Sequence, residues 1–243
     1  MKFIIHGALG RMGQAVEKSL IQENQEYIKV DINYAPGEGY RSIAEVKEKA
    51  DCIIDFSFHT VTESLLEYAV KTNTPIVVAT TGHTQEERAK IDNASKKVAV
   101  FYSGNMSVGI ALLSDLVKKV VKVMKDAEVE IIETHHDKKI DAPSGTALML
   151  FNAVKEEREK AFKVEGRSGH CLRQENEVGI SSIRLCNVVG IHEVIVSNGV
   201  ETITLKHEAH DRALFANGAV KAALYLAGKG AGLYDMKKML GEV

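Results

Sequence analysis

The sequence predicts an α/β domain built on a parallel sheet, joined to an α+β domain with a mixed, partly antiparallel sheet. Three observations carry that reading. Over residues 1–107 short apolar runs alternate with helical patterns, as right-handed βαβ units require. After Tyr102 the alternation stops, and three strand-like runs follow with little helix between them. The last two are separated by Asn198-Gly199, a strong short hairpin signal.

Phe3-Ile4-Ile5 reads as a buried parallel strand. Gly7, Gly10 and Gly13 follow, then a helix face of Met12, Val16 and Leu20. Ile28, Val30 and Ile32 alternate as a second strand, and Cys52–Phe56 gives a third, with a helix over Thr62–Lys71. Pro75–Ala79 and Val98–Tyr102 are the next strands, and Thr84 with Glu87 makes a capping box for the helix between them. In the second part Gly109–Met124 has the pattern of a long amphipathic helix and Glu128–His135 that of a strand. The strand-like runs lie near Gly179–Leu185, Glu193–Ser197 and Glu201–His207, before a final helix over Phe215–Gly228.

Composition excludes several classes of function. The 243 residues are 45% apolar and 26% charged, ordinary values for a soluble globular protein. With 31 basic and 33 acidic residues the formal charge is −2, so neither a nucleic-acid partner nor a membrane surface is expected. Cys52, Cys171 and Cys186 are far apart and lack CxxC spacing, which points to reduced thiols in a cytoplasmic protein rather than disulfides or a cysteine zinc site. The apolar run in MKFIIHGALGRMG is too short for a signal peptide, and no segment approaches the ~20 apolar residues of a spanning helix.

GALGRMG sits between a strand and a helix, where a dinucleotide fingerprint belongs. Aligned on Gly13, the G-x-G-x-x-G pattern has Ala8 at its first glycine, with Gly7 one residue earlier. Gly10 still lets the backbone approach a pyrophosphate, and Gly13 still permits close helix–strand packing. The helix start then offers N–H groups to the anion. A tight turn without a ligand is the plain alternative, but the motif's place at the head of a βαβ series favours a Rossmann-type nucleotide site. Ala79-Thr80-Thr81-Gly82 and Ser103-Gly104-Asn105-Met106 also follow strands, where ligands of such sheets bind.

The stretch Glu133–Leu148, ETHHDKKIDAPSGTAL, combines proton carriers, cations and a helix start. His135 and His136 end a strand pattern and can serve one pocket only if the chain turns there. A histidine metal site would need further ligands at defined spacing, and none is evident, so no metal is expected. Ser144 suits a helix start, and the Ser144-Gly145-Thr146 amides and hydroxyls form an anion site. Gly145 lowers helix propensity but lets a ligand come close. The stretch reads as a pocket for a small anionic substrate with proton carriers at its edge.

These motifs resemble the 4-hydroxy-tetrahydrodipicolinate reductase (dihydrodipicolinate reductase) family. The pattern E-x-H-H-x-x-K-x-D-x-P-S-G-T-A runs from Glu133 to Ala147. GxxGRMG, Asp55-Phe56-Ser57, Thr80-Thr81-Gly82, Asn105–Gly109 and Phe215–Ala219 match as well, so the likeness spans nearly the whole chain. The resemblance implies a dinucleotide-binding domain over 1–107 completed by helices within 216–243, and a substrate and oligomerisation domain over 108–215 that assembles a homotetramer. It implies hydride transfer from NADPH or NADH to ring C4 of the unsaturated species left as the 4-hydroxyl departs, with protonation at C3, in lysine and diaminopimelate synthesis. His135 matches the proton donor and acceptor, and Lys139 the second proton donor. His136, Gly145, Thr146 and Arg212 match the substrate region.

Gly7, Ala8, Leu9, Gly10, Arg11 and Met12, with Ala79, Thr80 and Thr81 and with Ser103, Gly104, Asn105 and Met106, match the cofactor segments. Where many members have an acidic residue after the second strand, this reading places Asn33, which carries no charge to repel a 2′-phosphate. Arg11 is the expected partner of that phosphate, so both coenzymes should work with a modest lean toward NADPH. Two other readings are another amino-acid-pathway dehydrogenase, such as aspartate dehydrogenase, and a sensor that binds NAD(P)H without chemistry.

Overall fold

Runs of Ile and Val become the strands of a six-stranded sheet. β1 (Lys2–His6), β2 (Glu26–Val30), β3 (Cys52–Asp55), β4 (Ile76–Val78), β5 (Ala99–Tyr102) and β11 (Gly232–Tyr234) pair only in parallel, in the order β11-β5-β4-β3-β1-β2. The computed structural model describes residues 1–241. Phe3, Ile4, Ile5, Ile53, Ile54, Ile76 and Val77 have no exposure, because helices on both faces leave no solvent side. Those helices include α1 (Arg11–Gln22), α2 (Thr62–Thr72), α3 (Gln85–Ser95) and α6 (Ala213–Leu226). The capping box at the head of α3 is present, with Thr84 accepting from the Glu87 amide and Glu87 from the Thr84 amide.

The second sheet has the order β10-β9-β6-β8-β7, with β6 (Glu128–His135), β7 (Phe162–Glu165), β8 (Glu177–Arg184), β9 (Gly190–Ser197) and β10 (Thr202–Ala209). Pairs β10/β9 and β9/β6 are antiparallel, whereas β6/β8 and β8/β7 are parallel, so the sheet is mixed. The helices α4 (Val108–Val123) and α5 (Gly145–Glu157) cover one face, over Val129, Ile131, Val178, Ile180, Val194 and Val196.

The chain divides into one unit of Met1–Ser107 with the residues from Arg212 on, and a second of Val108–Asp211. The sequence reading set the return at 216, but α6 begins at Ala213 and takes the preceding residues with it. β2 also ends earlier than its alternation suggests. Asp31 Oδ1 accepts from the Asn33 amide at 3.0 Å, an Asx turn that breaks the strand and leaves Ile32 exposed. β7, β11 and α7 (Met236–Gly241) have no counterpart in the sequence reading. β7 is a mostly exposed edge strand and β11 only three residues long, so neither carries a hydrophobic period.

Close packing fixes one glycine in α6. A Cβ at Gly218 would overlap the carbonyl oxygen of Met106, so the helix lies directly on the loop after β5. Gly218→Ala is therefore expected to cost about 1–3 kcal/mol by overpacking. Gly230→Ala, where a Cβ meets nothing within 4 Å, should be near neutral. Urea unfolding of both variants checks this.

Candidate active site

The strand β6 carries its core face straight into a polar cluster. Period-two alternation puts Val129, Ile131, Glu133 and His135 on one side, the first three buried. On the neighbouring strands Ser182 and His192 stand opposite Glu133, and Arg184 opposite His135. The apolar rows thus give way to charged ones at the carboxyl end of β6.

Glu133 is wholly buried. Its Oε1 accepts from Arg184 Nη2 at 2.9 Å and from the Ser144 amide at 3.2 Å. Its Oε2 accepts from Arg184 Nη1 at 3.0 Å and makes a short hydrogen bond with His135 Nδ1. Burial pushes the Glu133 pKa up, but hydrogen bonds from Arg184, Ser182 and His135 outweigh it and hold the group below the ordinary value. Burial lowers the His135 pKa, and the hydrogen bond and charge of Glu133 only partly oppose it.

Arg184 also fastens the loop after β6. Its Nη2 donates to the Asp141 carbonyl at 2.7 Å and its Nε to the Lys139 carbonyl at 3.3 Å. The Asp137 amide bonds the Cys186 carbonyl, and the Lys139 amide turns back to the His136 carbonyl. The chain therefore leaves the strand at His136, as two histidines serving one pocket require. Lys139 Nζ pairs with Asp141 at 2.7 Å.

Ser144 makes three hydrogen bonds within the protein. It is 2% exposed, its hydroxyl caps α5 by accepting from the Ala147 amide, and the same oxygen bonds His192 Nε2 at 3.1 Å. Its amide donates to Glu133, so Ser144 ties the start of α5 to β6. Gly145 and Thr146 open the helix beyond it, and the space where a Cβ of Gly145 would point is clear to 4 Å. His192 stacks edge-on to His135 at 5.1 Å, and burial lowers its pKa to about 4. Gly190 leaves room beside His135, since a Cβ there would sit 3.1 Å from Nε2. Arg212 lies in the other unit, exposed, immediately before α6.

The first unit carries the segments that the sequence reading assigned to the cofactor. Gly7 has φ +81°, and a Cβ there would press on the Phe56 carbonyl at 2.7 Å. A Cβ at Gly13 would overlap the Gly7 carbonyl. The amides of Gly7 and Ala8 bond the Val30 carbonyl, that of Gly10 bonds the Gly7 carbonyl, and that of Leu9 donates to Asp31 Oδ2 at 2.9 Å. The amides of Arg11 and Met12, in the first turn of α1, have no acceptor within the helix.

Asp55, unexposed at the end of β3, joins two further loops. It accepts from Thr80 Oγ1 at 2.7 Å, from the Ser57 amide and hydroxyl, and bonds His6 Nδ1 at 3.1 Å. Ala79 and Thr80 are buried and Thr81 exposed. After β5, Ser103 Oγ donates to the Asn105 carbonyl and Met106 is buried, with Gly104 exposed. A cavity of about 520 Å³ borders Gly7, Leu9, Gly10, Asp31, Asn33 and Arg41.

Asn33 is thus at the cavity, but the residue that directly follows β2 is Asp31, 7% exposed, which corrects the assignment of that position to Asn33. Arg41 lines the cavity and Arg11 does not. Sequence reasoning did not single out Arg41, Arg184 or His192, and gave Glu133 no role. Alternation alone could have paired Glu133 with His135. The others depend on turns and strand register.

Among the described residues no group of three or more His, Cys, Asp or Glu is placed to hold a metal ion, and no helix is long and apolar enough to cross a membrane. The three cysteines are free, Cys52 buried and Cys171 and Cys186 exposed.

A parallel nucleotide-binding sheet, with a histidine–carboxylate pair beside a helix start on a second unit, defines an NAD(P)H-dependent oxidoreductase. Family profiles described as dihydrodipicolinate reductase, N-terminus and C-terminus, match residues 1–106 and 109–240. The chain belongs to the dihydrodipicolinate reductase family. It is 43% identical to a 4-hydroxy-tetrahydrodipicolinate reductase of Caldanaerobacter subterraneus subsp. tengcongensis, over 99% of this chain and 98% of that one. Identity to the enzyme of the same name from Clostridium novyi is 41%, over 98% of each. A dipicolinate-bound dihydrodipicolinate reductase from Paenisporosarcina sp. TG-14 has the same fold, with a TM-score of 0.82 at 22% identity over 97% of each chain.

The buried histidine has a consequence for stability. Its folded pKa of about 4 lies below the ordinary 6.5, so between those pH values the unfolded chain binds a proton at His192 that the folded chain excludes. That contribution is intact above pH 6.5 and is lost as pH falls toward about 4, with a full size on the order of 3 kcal/mol. His192→Gln should flatten the pH dependence of stability in this window, as measured by urea unfolding at a series of pH values.

Proposed function

We infer that the chain catalyses NAD(P)H-dependent reduction of 4-hydroxy-tetrahydrodipicolinate to tetrahydrodipicolinate. The observation that carries this reading is His135, paired with buried Glu133, at the edge of a helix start flanked by Lys139. Family membership supplies the substrate, and dipicolinate in the related Paenisporosarcina structure is a dicarboxylate of similar outline. The nicotinamide cofactor supplies the hydride. Arg11 and Met12 fit its pyrophosphate, and the cavity beside Asp31 and Arg41 fits its adenosine end.

The substrate side rests on charge and donors. The amides of Gly145 and Thr146 at the start of α5 receive one carboxylate, with Lys139 and His136 as further contacts. Lys139 can exchange Asp141 for substrate at small cost, because Asp141 is largely exposed and such pairs are weak. Loss of water takes the 4-hydroxyl together with a proton from C3; when C4 of the resulting unsaturated species gains hydride, His135 would give one proton to C3. A dianionic substrate favours the imidazolium against the burial that disfavours it. A non-catalytic sensor would have no use for this arrangement.

The open face of the second sheet, with Ile132, Thr134, Ile191 and Ile195, is the surface proposed for assembly into a homotetramer. A cytoplasmic location is supported by the three free cysteines.

An NAD(P)H oxidation assay, with dihydrodipicolinate synthase generating the substrate, tests the activity directly. In that assay His135→Gln should lose ~10²–10⁴-fold in kcat with little change in KM. Lys139→Ala should weaken competitive inhibition by pyridine-2,6-dicarboxylate and lower kcat as well. An enzyme that oxidises neither coenzyme with this substrate would refute the reading.

Coenzyme choice follows the cavity. We expect NADPH and NADH both to serve, because the Asp31 carboxylate is already engaged by the Leu9 amide and by Asn33, and Arg41 stands nearby to meet a 2′-phosphate. Arg41→Ala should lower kcat/KM for NADPH more than for NADH, and salt should do the same, whereas Arg11→Ala should discriminate less. Equal losses with the two coenzymes would remove Arg41 from this role.

A further inference from the structure

The carboxylate of Glu133 makes four hydrogen bonds with three residues and is held in place. Arg184 grips both oxygens, the Ser144 amide takes Oε1, and His135 Nδ1 takes Oε2. A buried acceptor held on three sides can present its remaining lone pair in one direction only. A charged guanidinium across a buried carboxylate also keeps that carboxylate ionised, so the proton of the His135–Glu133 contact belongs to Nδ1. Nε2 is then the atom left for proton exchange. Gly190 leaves the space beside it open, since any larger residue would sit 3.1 Å or less from that nitrogen.

Resting on the reading of His135 as the proton carrier, we propose that Glu133, gripped by Arg184, is a positioning residue for the reduction. It orients the imidazole through Nδ1, so that Nε2 alone delivers the proton to substrate. In that step the Nε2–H bond breaks and the C3–H bond forms. The electron pair stays on Nε2, the Nδ1 proton stays toward Glu133, and solvent later restores the lost proton. Glu133 touches neither substrate nor cofactor in this role, and acts only through His135.

The charges that face His135 fix the sign of its pH behaviour. Glu133 on β6 raises its pKa, while Lys139 in the following loop and Arg184 on β8 lower it. His192 on β9 is edge-on to the ring and neutral above about pH 4, and the start of α5 adds the Ser144 amide through Glu133. Without the carboxylate, burial and two cations act unopposed. The imidazolium is then lost at lower pH, so a rate that needs it falls earlier as pH rises.

The test uses Glu133→Gln in the full chain. Its alkaline limb of kcat should move to lower pH by about one unit or more, as expected for loss of an adjacent opposite charge. KM for the coenzyme should stay within about twofold, and part of the lost rate should return at low pH. Histidine ¹⁵N shifts of the free protein, with His135 assigned by its absence from His135→Gln, give a readout independent of substrate. Wild type should show His135 protonated at Nδ1, and Glu133→Gln should lower its titration midpoint. A neutral wild-type His135 that carries its proton on Nε2 rather than Nδ1, above its titration midpoint, would overturn the proposal even if the variant failed to fold. So would a variant whose kcat falls equally at every pH with the histidine titration unmoved. A protein that passes the spectroscopic test yet does not turn over the substrate would refute the proposed reaction and leave the positioning role standing.

Discussion

The ion pair between Glu133 and Arg184 is the constraint on which the second unit depends. A buried charge is costly unless it is paired and hydrogen-bonded on every side. Here the requirement is met by one side chain from β8, one amide from the turn before α5 and one imidazole from β6 itself. Satisfying that carboxylate therefore brings three separate segments into one geometry. Arg184 extends the effect by holding the carbonyls of Lys139 and Asp141, so the loop that carries the lysine is set by the same pair.

The first unit uses the same device twice. Asp31 and Asp55 follow or end strands of the parallel sheet, and both are buried. Asp31 accepts from the glycine turn and from Asn33, so it fixes the turn in which Gly7 adopts a positive φ. Asp55 accepts from Ser57 and Thr80, drawing together the loops after β3 and β4. In each case the donors are loop groups at the carboxyl ends of strands, where ligands of such sheets bind. Preorganised loops of this kind lower the ordering cost of binding.

The histidines show how environment separates chemically identical groups. His192 is buried against His135 and capped by Ser144, and burial takes it out of the range in which it could carry protons at neutral pH. His135 is beside it, but a carboxylate opposes the burial. Burial therefore dominates at one, while at the other a carboxylate on the ring opposes it.

The sequence by itself determined the βαβ series, the glycine turn and the strand that ends in His135, because these rest on local period and on residues close along the chain. It also set out the Glu133–Ala147 motif, with His135, Lys139 and the helix start within fifteen residues. It placed the end of β2 too late, because the Asx turn at Asp31 is a side-chain choice that alternation does not show. Tertiary structure alone decided that Ser144 bonds Glu133 and His192, since those partners come from two other strands. It likewise decided that Arg184, 51 residues from Glu133, belongs at the site. Strand register is a global solution to burying one face of a sheet, and no local pattern encodes which side chains it sets opposite one another.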